Sequence, residues 1–129
     1  MTRSTISTNG APPAIGPYAQ GVRVGDLIFT AGQGGLDPAT GQLVPGGITE
    51  QTTRTLKNLK AVLEAGGSSL EKVVKATVFL KDINDFAAMN AVYATFFANG
   101  PDALPARTTV EVSRLPRNLL VEIELIAEA

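Results

Sequence analysis

Arginine and carboxylate residues alternate with small and apolar ones in two stretches near the end of the chain. The first is Pro105-Ala106-Arg107-Thr108-Thr109-Val110-Glu111-Val112, and the second is Leu119-Leu120-Val121-Glu122-Ile123-Glu124. Both have period two, so both read as β-strands with two distinct faces. On the first, Arg107, Thr109 and Glu111 share one face, and Thr108, Val110 and Val112 are expected to supply the core face. On the second, Leu119, Val121, Ile123 and Leu125 are apolar, while Leu120, Glu122, Glu124 and Ile126 oppose them. An arginine and a carboxylate thus sit on strands that look adjacent, each on the face that is not simply core. Such a pair is either a cross-strand salt bridge or a site in which a guanidinium holds an anion and a carboxylate moves a proton. Alternation alone leaves both open.

The rest of the composition narrows the chemistry. The chain has no cysteine and no histidine, which excludes thiol nucleophiles, serine–histidine triads and the usual zinc sites. Arg, Asp, Glu, Lys, Tyr, Ser and Thr remain for any reaction. Lys plus Arg is 11 against 12 for Asp plus Glu, a net charge of −1 with no basic block. That balance argues against a general nucleic-acid binder or a polybasic membrane anchor. The first residues lack an apolar signal core and no run reaches membrane-spanning length, so an intracellular, cytoplasmic location is expected. With 129 residues, 44% hydrophobic and 18% charged, a single folded domain over 1–129 is expected, burying roughly two-thirds of its unfolded surface.

These residues need a frame to hold them. Thr5-Ile6-Ser7 is a weak strand. The segment from Asn9 to Pro17 is irregular, because its three prolines lack amide donors, and it delivers Tyr18 to the next strand. Tyr18 to Val24 and Leu27 to Gln33 read as strands joined by Gly25-Asp26, the chemistry of a tight hairpin. Gly32, Gly34 and Gly35 either end that strand or bring backbone close to something. Asp37-Pro38-Ala39-Thr40-Gly41 is a turn. Ile48 to Ala65 is a helix, with Leu56, Leu59, Val62 and Leu63 at helical spacing, Glu50 in its first turn and Gly66-Gly67 after it. Ser68 with Glu71 resembles a capping box. Val73 to Leu80 is a strand with Val74, Ala76, Val78 and Leu80 on one face. A second helix is predicted from about Asn84 to Asn99, capped by Asp82 or Asn84 and stopped by Gly100-Pro101. Its stripe of Phe86, Met89, Tyr93, Phe96 and Phe97 is read as core.

The order of elements predicts an α+β fold, a mixed sheet with two helices covering one face. The other face would carry Lys75, Thr77, Phe79, Arg107, Thr109, Glu111, Leu120, Glu122, Glu124 and Ile126. Such a mixed surface suits an oligomer whose sheets pack together.

Several short motifs in register give a resemblance. Ile15-Gly16-Pro17-Tyr18, Thr30-Ala31-Gly32-Gln33, Phe79-Leu80-Lys81-Asp82, Asn84-Asp85-Phe86 and Pro105-Ala106-Arg107 with Val110-Glu111-Val112 resemble the reactive-intermediate deaminase family (RidA, also called YjgF). The match runs through essentially the whole chain. It implies a chorismate-mutase-like fold, a homotrimer whose sheets form a central barrel, and active sites between subunits. The implied activity is hydrolysis of 2-imino acids such as 2-iminopropanoate and 2-iminobutanoate to 2-keto acids and ammonia, with no metal or organic cofactor. The positions matching the family's site are Arg107, Glu122, Tyr18, Asn90 and Gly32. Two positions depart: Ala31 stands in place of a serine and Thr109 in place of a cysteine. Arg107 would clamp the substrate carboxylate, Glu122 would hold and activate water, and Tyr18 would close the pocket. With this resemblance the salt-bridge reading of Arg107 and Glu122 gives way to the catalytic one. Other roles associated with the family keep alternatives open: a small-carboxylate sensor, a holdase or a ribonuclease, the last disfavoured by the absent histidine and basic patch.

Overall fold

The computed structural model describes residues 2–129, and among them are six strands and two α-helices. The strands are β1 (Arg3–Ile6), β2 (Gly21–Val24), β3 (Leu27–Thr30), β4 (Val73–Leu80), β5 (Ala106–Glu111) and β6 (Val121–Glu128). The helices are α1 (Ile48–Ala65) and α2 (Phe86–Phe96). The sheet order is β1-β2-β3-β6-β4-β5, with β4 and β5 parallel and every other pair antiparallel.

Both helices pack on one face of this mixed sheet, as the element order predicts. Leu56, Leu59, Val62 and Leu63 of α1 and Met89 and Tyr93 of α2 join Ile28, Ala76, Val78, Leu80, Val121, Ile123 and Leu125 in one core. The helix α1 has the predicted bounds. Gly47 donates its N–H to Glu50 Oε1 at 2.7 Å at the start. At the end Gly67, at φ 86°, reverses the chain in a conformation that favours glycine. The Gly25-Asp26 hairpin forms as expected, with Val24 opposite Leu27 and Gly25 at φ 58°.

Several expectations are corrected. The second helix begins later and ends sooner: Ile83–Asp85 is a 3-10 turn, capped by Asp82 Oδ1, which accepts the Asn84 N–H at 2.9 Å. Phe97 then leaves helical geometry, and its ring packs on Tyr93 at 4.5 Å between centroids. No capping box forms at Ser68; its hydroxyl instead donates to the Glu128 carbonyl and ties α1's exit to the end of β6. In β4 the register shifts between Val73 and Lys75, so Val73 is buried and Val74 is turned outward, 42% exposed. A bulge inserts one residue and inverts the alternation on one side of it.

The largest correction concerns β5. Its register pairs Arg107 with Ala76 and Thr109 with Val78, and both partners are buried beneath the helices. Arg107, Thr109 and Glu111 therefore lie on the helix side, while Thr108 is exposed and Val110 is 39% exposed on the other. β4 also separates β5 from β6. Glu122, opposite Phe79, lies on the outer face. Arg107 and Glu122 are neither on neighbouring strands nor on one face, so a cross-strand salt bridge within the chain is ruled out. The reason is that both faces of β5 mix polar and apolar residues, and its parallel pairing, not its polarity, fixes the phase.

Candidate active site

The predicted residues gather in two groups. The first surrounds Glu122. After β3 the ladder to β6 is interrupted: Thr30 Oγ1 accepts the Leu125 N–H at 2.9 Å, and Gln33 resumes pairing through reciprocal backbone bonds with Ile123 at 2.9 and 3.0 Å. Ala31 and Gly32 bow out between these anchors. The Glu122 side chain lies directly on Gly32, where an added Cβ would come within 2.5 Å of Oε2. Any side chain at 32 would displace the carboxylate. Gly35 has a different reason for its glycine, since a Cβ there would meet the Gln51 backbone at 2.8 Å.

A cavity of about 450 Å³ opens here. Tyr18, Ala31, Gly32 and Glu122 line it together with Pro12, Ile15, Pro116, Arg117 and Leu119. Buried side chains of α1 and β2's approach hold its walls. Gln20 accepts the Thr8 N–H at 2.7 Å and donates to the carbonyls of Thr8 (3.1 Å), Ala11 (3.3 Å) and Pro12 (2.8 Å), fixing the proline-rich loop. Asn58 Nδ2 donates to the carbonyls of Gly34 (3.2 Å) and Leu36 (3.0 Å), and Gln51 Oε1 accepts the Leu120 N–H at 2.9 Å. Burial pushes the Glu122 carboxyl above its ordinary value, and neighbouring Glu124 adds to the rise. A carboxyl so placed can both accept and release a proton nearer neutrality than a solvated glutamate.

The second group surrounds Arg107 on the opposite side of the sheet. Its guanidinium carbon lies 4.7 Å from the centre of the Tyr93 ring and 5.5 Å from that of Phe86. Buried side-chain oxygens of Asn90, Tyr93 and Thr109 have no hydrogen-bond partner among the described residues. Burial pushes the Tyr93 phenol up, opposed by the charge of Arg107.

Of the predicted site residues, Tyr18, Ala31, Gly32 and Glu122 line one cavity, whereas Arg107 and Thr109 share the helix side of β5 and Asn90 lies on α2 between Phe86 and Tyr93, whose rings face Arg107. Arg117 is a cavity residue that the sequence reading missed; its positive φ of 59°, next to Asn118 at 56°, has no sequence signal. Gln51 and Asn58 were also missed, although they carry one. Their spacing continues α1's apolar stripe with polar residues, the pattern of a helix face that fastens loops.

A family model described as endoribonuclease L-PSP matches residues 8–129. A RutC family protein of Pyrococcus abyssi is 54% identical, covering 98% of each chain. A mouse protein named 2-iminobutanoate/2-iminopropanoate deaminase is 51% identical over 98% of this chain and 92% of its own. The crystal structure of Escherichia coli TdcF with bound serine is 44% identical, with a TM-score of 0.92 and 98% of each chain covered.

Proposed function

The chain belongs to the endoribonuclease L-PSP family, which includes the reactive-intermediate deaminases, and from that membership we propose that it is a 2-iminobutanoate/2-iminopropanoate deaminase. Each active site takes Glu122, Gly32, Tyr18 and Ala31 from one copy of the chain and Arg107, Asn90 and Thr109 from another, in a homotrimer. The observation that carries the mechanism is the half-buried Glu122 carboxyl, lying on Gly32 in the cavity with its proton affinity raised.

A 2-imino acid is a planar carboxylate beside an electrophilic C=N carbon. The guanidinium fork of Arg107 matches the two carboxylate oxygens and fixes the imine's orientation. Asn90 Oδ1 can accept the imine N–H, and the Thr109 hydroxyl can donate to the carboxylate. Glu122 holds a water over the imine carbon and takes its proton as the C–O bond forms. The same carboxyl returns the proton to nitrogen; as the C–N bond breaks it takes the hydroxyl proton of the adduct, so that the C=O bond forms, and it passes that proton to the departing ammonia, leaving the 2-keto acid and ammonium. Proton transfer of this kind is worth roughly 10²–10⁴-fold, and holding water and imine in register contributes the rest. Tyr18, 50% exposed in the single chain, closes the mouth. The steps use only side chains and water, so no cofactor is required, and the reaction suits a cytoplasmic protein. The ribonuclease role in the family model's description fits poorly with net charge −1 and no histidine, and no nucleic-acid partner is proposed.

The test generates 2-iminopropanoate and 2-iminobutanoate in situ and follows their capture by semicarbazide. The protein should divert the imine to keto acid and depress semicarbazone formation; unchanged capture removes the deaminase reading. A serine-bound relative favours one second reading, a sensor of small carboxylates, which would bind 2-oxobutanoate without any effect on imine decay.

A further inference from the structure

Arg107 is held by rings. Among the described residues its guanidinium has no side-chain hydrogen bond or ion pair; the groups it faces are Tyr93 and Phe86. We infer that Tyr93 is a positioning residue, whose ring face sets the plane of the Arg107 guanidinium and so the angle at which the fork meets a substrate carboxylate. The inference rests on the reading of Arg107 as the carboxylate clamp.

The chemistry favours a ring in this place over an acid. A carboxylate beside Arg107 would orient it but would occupy the same in-plane N–H groups that the substrate needs. A ring engages the flat face of the guanidinium and leaves its donor edge free. Such a platform works only if it does not move. Tyr93 is 7% exposed, stacks on Phe97 at 4.5 Å with a 32° tilt, and projects from a helix rooted in the core. Phe86 is 39% exposed and can yield, so the fixed member of the pair is Tyr93. The tyrosine hydroxyl has no hydrogen-bond partner among the described residues, and the ring alone is sufficient for the stack.

Tyr93→Leu, Tyr93→Met and Tyr93→Phe are compared for 2-oxobutanoate binding by calorimetry and for kcat/KM on 2-iminobutanoate, at a temperature where melting curves show each folded. Leucine and methionine remove the platform, and methionine also keeps most of the volume should leucine fail to fold. Both should weaken binding and lower kcat/KM about tenfold, and phenylalanine should recover most of that loss. In an Arg107→Lys background, which has no guanidinium plane to set, the methionine substitution should change either quantity by no more than about twofold. Equal losses for phenylalanine and methionine would assign the effect to the hydroxyl and overturn the inference. A methionine penalty that persists undiminished in the lysine background would do the same, by assigning it to general packing. Absence of imine turnover in the unsubstituted protein would remove the deaminase reading separately, because the binding comparison still reports how Arg107 meets a carboxylate.

Discussion

Glu122 shows how one burial can serve the proposed reaction and make stability depend on pH. Its carboxyl is raised by loss of water and by Glu124, so the folded chain holds that proton more tightly than the unfolded one. The stability this gives is full below the ordinary value of 4.5 and is lost as pH rises through the raised one. Glu122→Gln removes the titration while keeping shape and hydrogen bonding. The variant should melt above the unsubstituted protein at pH 8, with the difference narrowing as the pH is lowered towards the ordinary carboxylate range. Its turnover should fall roughly 10²–10⁴-fold while 2-oxobutanoate still binds. Nearly full turnover would make Glu122 a structural acid. In the unsubstituted protein the acid limb of kcat/KM should lie above the ordinary glutamate range for the same reason. Arg107→Lys tests the other half: charge remains, but the planar fork, whose carbon lies 4.7 Å from the Tyr93 ring centre, disappears. The loss should be on the order of 10²-fold or more in kcat/KM. The expectation that Thr108, Val110 and Val112 would protect the strand fails, because Thr108 and Val110 face outward. The protein should still fold, since Arg107 sits at a partly exposed rim and the core beneath is supplied by Ala76 and Val78. Unfolding of the lysine variant would instead mark Arg107 as structural.

At the scale of elements, the site depends on α1 acting as a clamp for loops as well as a core helix. Asn58 is fully buried and donates to the carbonyls of Gly34 and Leu36. It also accepts from Arg54 Nε at 2.9 Å. Asn58→Ala would remove this donor from the half-buried Leu36 carbonyl and leave the Gly34 carbonyl with the Leu36 N–H alone, so it should cost roughly 1–3 kcal/mol in urea denaturation at fixed protein concentration. Turnover should fall as well, because the loop it releases carries Gly32's neighbours; a stability loss without any loss of turnover would separate the clamp from the site. What was legible in the sequence follows the same division. α1 was legible to its ends because eighteen residues of helical period leave little freedom. The Gly25-Asp26 hairpin was legible because its turn chemistry is local. The phase of β5 was not, because a strand alternating Arg and Thr with Thr and Val has no clearly apolar face, and its parallel neighbour decides. Val74 misled for a related reason: a bulge is set by the pairing partner, not by the strand's own residues. The Glu122 and Gly32 contact could be reached through a motif, whereas the distance between Arg107 and Glu122 could not, since strand order is not written in alternation.

The whole molecule poses one question that a single chain leaves unanswered: Arg107 and Glu122, on opposite faces of one sheet, cannot both meet the small substrate proposed for them. Two copies resolve it if the Arg107 side of one packs against the cavity of the next. Such contacts join different surfaces head to tail, and a head-to-tail contact that closes after three copies gives a ring with three equivalent sites. Leu27 and Phe29, 40% and 43% exposed on the outer face, give that packing apolar area to bury. Light scattering should therefore report three times 13.4 kDa without added ligand, and a monomer would remove the shared site. Mixing subunits is the sharper test. Arg107→Ala and Glu122→Gln should each be nearly inactive as pure proteins, since every site in either assembly lacks one half. After equal amounts are unfolded together and refolded, about a quarter of the interfaces should pair an intact Arg107 with an intact Glu122. Turnover should return to about a quarter of the unsubstituted value, although neither variant contributes an intact chain. The two proteins combined without refolding serve as the control and should stay inactive until subunits exchange. If the refolded mixture is no more active than its components, both residues act within one chain, and the division of the site between copies is wrong.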